Sequence, residues 1–376
     1  MKFIHLADLH LGKIIYQRNL IDIQADLLNQ VLEYMNEKDI NTLVIAGDVY
    51  DRAIASQESI AVLNDFLDQM INKYHYQVLM ITGNHDSSER LNFASSLLKN
   101  RGLHIVSYPL KHLQPIEIEG VNFYLVPFFK PSYMRYLYQN DDLKTYQDAF
   151  TYYLSKQHFD DQKPKILVTH QFFAGNKDVI RSESEVTLSV GGSEIIDVDL
   201  LKDFDYVALG HLHASQKVKY DYVRYAGSLM TYSFDEVNQK KGMVEVTIDS
   251  QGVSTQIIPL KPKKNFIKLK GKFEDVMHYP DNHQDFVSIE LLDKQIIGHA
   301  FERLKEKYPD LLQITYALLD EASSSNQTAA AMNFEKQTPV ELFIEFYEKM
   351  KGEKPVQEEI DIIEKLLKED DENDAT

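Results

Sequence analysis

A chain of 376 residues is long for one domain, so two domains or one domain with appendages is expected, and 44% hydrophobic residues can bury a sizeable core. Zero cysteines exclude disulfides, zinc–thiolate sites and a cysteine nucleophile, and a net charge of −18 argues against broad nonspecific DNA affinity, which phosphate contacts supply. No basic leader precedes the first strand and no apolar run approaches the roughly 20 residues of a membrane span, so a soluble cytoplasmic protein is expected.

The first element, MKFIHLADLH, reads as a buried strand ending in Asp8 and His10. Leu20, Ile23, Leu27, Val31 and Tyr34 then recur at helical spacing. A second strand, NTLVIAGDVYDR, ends in Asp48, Asp51 and Arg52 and is followed by a helix over 56–74. The third, YQVLMITGNHD, delivers Asn84, His85 and Asp86, and a helix over 88–98 follows with Leu91, Ala94 and Leu97. This βαβ alternation predicts helices covering a mostly buried sheet. Residues 128–153 are crowded with aromatics, which read as packing at helical spacing or, interleaved with Lys and Arg, as a base-stacking platform. KPKILVTHQ ends in His170, and FDYVALGHLH ends in His211 and His213.

Past residue 260 the pattern changes. The run 261–272 holds six lysines and no acid, and reads either as a charged edge strand or as a DNA contact. FIKLKG, DFVSIELLD and LLQITYALL read as short strands and Ala300–Tyr308 as a helix, a small α+β unit. Residues 321–337 read as a flexible linker. Thr338, Pro339 and Glu341 supply helix-start signals, Leu342, Phe343, Phe346, Tyr347 and Met350 an apolar face, and 356–368 a second helix. An acidic, disordered tail, 369–376, closes the chain.

Five strands that each deliver Asp, His or Asn at their carboxyl ends describe a metal centre, since α/β sheets bind ligands at that rim. Residues two apart in a strand point the same way, so Asp8/His10 and His211/His213 each present a pair. Carboxylate, imidazole and amide without thiolate suit Mn²⁺, Fe²⁺ or Zn²⁺. Asp8, His10, Asp48, Asn84, His170, His211 and His213 are too many ligands for one ion. They suit two ions roughly 3.5–4 Å apart, bridged by one carboxylate, as in hydrolytic phosphoryl chemistry.

The ordered set D-x-H, G-D-x-x-D-R, G-N-H-D, a later H and G-H-x-H is identified as that of the calcineurin-like metallophosphoesterases. DLHLGK, VTHQFF, SVGGSEIID, FDYVALGHLH, YAGSLMTYSFDE and the following KKG resemble the SbcD family of nuclease subunits, which act in bacterial SbcCD complexes. The resemblance is strong from Met1 to about Leu260 and looser beyond. It implies an α/β four-layer sandwich of two mixed sheets flanked by helices (1–260), a small α+β capping and DNA-binding domain (261–320), the linker (321–337) and partner-binding helices (338–368). It further implies an Mn²⁺-dependent nuclease, exonucleolytic on double-stranded ends and endonucleolytic on single strands and hairpins, serving DNA repair, replication and recombination. The implied partners are an SbcC-like coiled-coil ATPase, bound through 338–368, and a second copy, bound through helices 56–74 and 88–98.

Carried over residue by residue, Asp8, His10, Asp48 and His213 would hold one ion, and Asp48, Asn84, His170 and His211 the other. His85 would be the proton donor and Arg52 would reach the phosphate. Archaeal relatives carry a histidine where Asp51 stands; from that departure we expect an Asp51–His85 dyad, with a helix N-cap as the alternative role for Asp51. A phosphomonoesterase or cyclic-nucleotide phosphodiesterase on the same fold would need only 1–260, leaving the lysine-bearing unit and the helices unexplained. A non-enzymatic scaffold is disfavoured because no proposed ligand is missing.

Overall fold

The computed structural model describes residues 1–175, 179–185, 194–279 and 284–317, together with 343, 344, 347, 355–357, 359 and 360. Four parallel strands, β1 (Lys2–Leu6), β2 (Thr42–Ala46), β3 (Gln77–Ile81) and β4 (Leu103–Val106), run side by side in the first sheet, with β4 at its edge. A second sheet is built on β6 (Val121–Val126), β7 (Lys165–Thr169), β8 (Tyr206–Leu209) and β10 (Tyr220–Tyr225), also parallel, with β5 (Ile116–Ile118) and β9 (Gln216–Val218) antiparallel at its edges. The hairpin of β11 (Gly242–Asp249) and β12 (Gly252–Pro259) extends the first sheet beyond β1, giving the order β12-β11-β1-β2-β3-β4.

Alternation along the strands builds the layers. In β2 every residue is buried: Val44 and Ala46 face a core shared with Phe123, Ile166 and Ala208 of the other sheet, while Leu43 and Ile45 pack with α1 (Ile21–Glu37). On the far face of the second sheet, α5 (Pro131–Tyr138) and α6 (Tyr146–Ser155) bury Met134, Tyr146, Phe150 and Tyr153. The result is a four-layer α/β sandwich of two mixed sheets. The aromatic run is therefore largely core, and Phe129 stacks on Phe150 at 5.8 Å rather than standing free for bases.

The helix expected over 56–74 is α2 (Gln57–Asp68), capped by Ser56 and continued by a π-turn over Gln69–Lys73. The single helix expected over 88–98 is instead two short ones, α3 (Ser88–Asn92) and α4 (Ser95–Leu98), broken where Ala94 takes φ 60°. Only Leu91 of its apolar face is buried, so no core contact holds the middle turn in register.

By compactness the chain divides into two units, one of 1–268 with 282–288 and 308–312, the other of 269–281, 289–307 and the residues after 312. A three-stranded sheet runs in the order β13 (Phe266–Gly271), β14 (Phe286–Leu291), β15 (Leu311–Tyr316). In the second unit, α7 (Phe273–Met277) receives at its C-terminal carbonyls the Lys307 ammonium from the end of α8 (Ala300–Lys307). Of the lysine run, Lys263 pairs with Asp26 at 2.6 Å, Lys264 with Asp310, and Lys270 with Glu290 at 2.6 Å. The linker 321–337, the capping residues Thr338 to Glu341 and Phe346 lie outside the described residues. Phe343 and Tyr347, which are described, bring their rings to 5.8 Å. Among the described residues no helix is long and apolar enough to cross a membrane.

Candidate metal centre

The carboxyl ends of β1, β2 and β3 in one sheet and of β7 and β8 in the other turn sharply, and the turns carry the chemistry. Asp8, His10, Asp48 and His211 all adopt positive φ, at 52°, 43°, 48° and 101°. Such backbone strain in non-glycine residues is held only where the surroundings over-determine it, and it concentrates at functional sites. Gly47 (φ 87°), just before Asp48, completes this bend; a Cβ there would stand 2.4 Å from His170 Nδ1.

Asp48 is the hub. Its Oδ2 lies 3.3 Å from His170 Nε2, 3.7 Å from His10 Nε2 and 4.0 Å from His85 Nε2, while Oδ1 accepts the His85 backbone N–H. Asp8 accepts the backbone N–H of His211 on both carboxylate oxygens and lies 3.9 Å from His170 Nε2. His211 Nδ1 meets Asn84 Oδ1 at 3.1 Å. His10 and His213 face each other through their Nε2 atoms at 3.1 Å. Asp8, His10 and His213, and again Asp8, Asp48 and His170, each bring donor atoms within 4.8 Å of one another. All seven expected ligands thus converge, and all but Asn84 are buried.

The charge balance fits cations. Burial alone would raise the Asp48 carboxyl, but the imidazoles of His170, His10 and His85 hold it well below the usual carboxylate range. Burial lowers His170, yet Asp48 and Asp8 outweigh it and lift the ring to about 9. A fully buried imidazole that draws a proton marks a pocket whose carboxylates call for positive charge. His170 Nε2, wholly buried, makes no hydrogen bond and faces Asp48 Oδ2 at 3.3 Å, where a cation can take the place of that proton.

Two residues behave otherwise than expected. His85 Nδ1 donates to the backbone carbonyl of Asp51 at 2.9 Å, so the dyad runs through main chain, not through the Asp51 carboxylate. That carboxylate turns to Lys13 Nζ at 2.9 Å and His10 Nδ1 at 3.5 Å, because the turn after β2 aims it at the first strand's loop. The Arg52 side chain is 77% exposed, 3.8 Å from Asp51 and outside the buried cluster.

Other residues of the site carry no signal in the motifs. Glu236, wholly buried, accepts from His213 Nδ1 at 3.0 Å, from Tyr232 N at 3.0 Å and from Lys241 Nζ at 2.7 Å. Burial alone would raise its carboxyl, but His213 and Lys241 hold it far below the ordinary range. Glu185, half-buried, accepts the His213 backbone N–H, and burial raises its carboxyl to about 7. Gln24 bolts the first loop in place by donating to the carbonyls of Leu9 and His10. The one sequence hint is that Glu236 and Lys241 sit in the SFDE and KKG segments, which carry the resemblance without assigning a role.

The phosphoesterase family model agrees with this architecture. Residues 1–215 match the model of the calcineurin-like phosphoesterases, and residues 262–351 that of the type 5 capsule protein repressor C-terminal domain. Over 373 residues, 98% of each chain, it is 31% identical to the D subunit of the SbcCD nuclease of Staphylococcus epidermidis. A dimetal phosphatase from Danio rerio superposes with TM-score 0.38 at 12% identity, covering 69% of this chain and 99% of its own. A Thermus thermophilus protein does so with TM-score 0.37 at 12% identity, covering 68% and 98%.

Proposed function

The chain belongs to the calcineurin-like phosphoesterase family and, within it, to the SbcD nuclease subunits, and from that premise we propose an Mn²⁺-dependent DNA phosphodiesterase working with an SbcC-like ATPase. It acts as an exonuclease on double-stranded ends and as an endonuclease on single strands and hairpins. The observation that carries this reading is Asp48 Oδ2, which lies 3.7 Å from His10 Nε2 of one ligand set and 3.3 Å from His170 Nε2 of the other, a place suited to a shared carboxylate.

In this reading Asp8, His10, Asp48 and His213 would hold one ion, and Asp48, Asn84, His170 and His211 the other. Divalent ions there supply Lewis acidity to a phosphate and lower the pKa of water towards neutrality. The chain's own residues do the rest. His85 commits Nδ1–H to the Asp51 carbonyl, so it is as the imidazolium, with a second proton on Nε2, that it gives that proton to the departing sugar oxygen. Its ring is 18% exposed, at the mouth of the cluster, where a leaving group can reach it. Arg52, exposed on the rim, meets the phosphate only when DNA is present.

Exposed apolar surface supports the proposed assembly. Ile54, Ile60, Phe93 and Leu97 stand 73%, 47%, 84% and 76% exposed around α2–α4, beside a cavity of about 440 Å³ that Ile60 and Phe93 help to line. Such a patch fits the isologous contact of a homodimer. Residues 338–368 are the segment for the ATPase, and the cytoplasm, where DNA and ATP meet, is the place of action. The test is the purified protein, with and without the ATPase, on hairpin DNA and on p-nitrophenyl phosphate esters. Partner-dependent hairpin opening supports the reading. Ester hydrolysis with inert DNA overturns it. Deleting 338–376 should keep ester hydrolysis and abolish ATP-dependent digestion.

A further inference from the structure

Behind the facing pair His10 and His213 the structure repeats one arrangement. Lys13 Nζ lies 2.9 Å from Asp51 Oδ1, which lies 3.5 Å from His10 Nδ1. Lys241 Nζ lies 2.7 Å from Glu236 Oε2, whose Oε1 lies 3.0 Å from His213 Nδ1. Each histidine thus has a lysine-anchored carboxylate facing Nδ1, hydrogen-bonded at His213 and at ion-pair distance without a hydrogen bond at His10, and turns Nε2 toward the other histidine, 3.1 Å away. Ser184 Oγ donates to Glu236 and accepts from His213 Nδ1 at 2.6 Å, so it shares the Nδ1 proton with Glu236 and favours the same tautomer.

We infer that Asp51 and Glu236 are positioning residues that lock His10 and His213 in the Nδ1–H tautomer and make their shared ion the tighter of the two. A carboxylate accepts only, so a proton on Nδ1 is stabilised and Nε2 is left as a lone pair in both rings. Two such lone pairs 3.1 Å apart do not bond to each other, and a cation held by both rings would satisfy them. The other half of the centre is backed differently. His170 Nδ1 donates to the neutral carbonyl of Ala46 at 2.7 Å, and His211 Nδ1 faces the neutral amide of Asn84. An anionic partner raises the basicity of a ligating imidazole more than a neutral carbonyl does, and loss of such partners typically costs about 10–100-fold in metal affinity. The lysines keep the two carboxylates charged and aimed, and Lys241 also ties Glu236 to the His213 carbonyl and the Ser228 hydroxyl.

This inference rests on the two-ion reading proposed above, and one titration separates their failures. Free Mn²⁺ would be followed by its paramagnetic resonance signal as the full-length protein, Asp51→Asn and Glu236→Gln are titrated. Wild type should fill in two steps. Both variants should weaken the tight step by about 10–100-fold and leave the weak step within about threefold. Equal weakening of both steps means general damage and overturns the inference, as does an unchanged tight step. Wild type that binds fewer than two ions overturns the two-ion reading with it. Should Glu236→Gln fail to fold, because Lys241 is left buried without its charge partner, Asp51→Asn decides alone, its carboxylate being 14% exposed.

Discussion

Replacing Gly210 by alanine tests whether the packing behind the centre sets its geometry. An ideal Cβ at 210 would stand 2.0 Å from the Ala46 carbonyl oxygen, 2.6 Å from His170 Nδ1 and 3.0 Å from Ala7 Cβ. None of these is the far end of a flexible side chain. One is strand backbone, one a wholly buried ring, and one a methyl in the core between the sheets. Ordinary contact begins at 3.4 Å, so the Ala46 carbonyl or the Gly210 turn must move by more than about 1 Å. The 2.7 Å bond from His170 Nδ1 to that carbonyl cannot survive the shift.

Overpacking of a dense core costs about 1–3 kcal/mol, and orphaning a buried hydrogen-bonding group adds about 1–3 kcal/mol. The expected loss, about 2–6 kcal/mol, is a large share of a typical domain's total stability of about 5–15 kcal/mol. Gly298→Ala is the control, since a Cβ there meets nothing within 4 Å and the change should stay within about 0.5 kcal/mol. Urea unfolding of both variants, with an Mn²⁺ titration of each, measures the two effects. Gly210→Ala with wild-type stability and wild-type metal affinity would refute the claim that this carbonyl–imidazole contact shapes the site.

Asp48→Asn should weaken both ions, whereas His213→Ala should weaken chiefly the one shared with Asp8 and His10; anomalous scattering from Mn²⁺-soaked crystals reads the occupancies, and a single wild-type peak contradicts the bridge. His85→Ala should retain both ions and lose about 10²–10⁴-fold in DNA turnover, the usual worth of a general acid; digestion at the wild-type rate would remove His85 from the chemistry. Burial first, and the Arg224 charge second, hold the His5 imidazole down to about 3 from its ordinary 6.5. Its unfolded form therefore binds a proton that the folded form refuses between those pH values, so this contribution is whole above 6.5 and falls by about 1.4 kcal/mol per pH unit below it. His5→Gln, whose amide can keep the Tyr206 hydroxyl bonded, should flatten that slope in urea titrations from pH 7 to 5; identical slopes would sink the assignment.

What the sequence makes legible is what the chain makes local. Asp8 and His10, or His211 and His213, are readable because each pair stands just past a buried apolar run. Strand alternation does not pair them, since they lie in the turns after β1 and β8, with positive φ at Asp8, His10 and His211. Glu236 is illegible because it reaches His213 from a 3₁₀ turn 23 residues further on, and no periodicity links a turn residue to a strand end. Asp51 misleads for the converse reason. Its closeness to His85 is real, but the backbone makes the contact and leaves the carboxylate to His10. The break at Ala94 depends on which apolar residues find a core, and spacing alone does not decide that.

The lysine run teaches the same lesson about charge. Read locally, six lysines without an acid in twelve residues look like a grip on phosphates. Folded, Lys263 and Lys264 meet Asp26 and Asp310, and Lys270 meets Glu290, none of them a neighbour in sequence. Cations already paired release fewer counterions from DNA, because an acid holds the place a phosphate would take. A chain with net charge −18 that commits at least half of the lysines in its most basic segment internally holds little spare positive charge for DNA. In the proposed function the grip on phosphates must therefore come from the ions at Asp48 and from the second protein. A DNA affinity for this subunit alone that is weak, and that scarcely depends on Lys263, Lys264 or Lys270, follows from that reasoning. Salt-dependent binding of hairpin DNA to the triple alanine variant measures it, and a loss of more than about tenfold against wild type would contradict the argument.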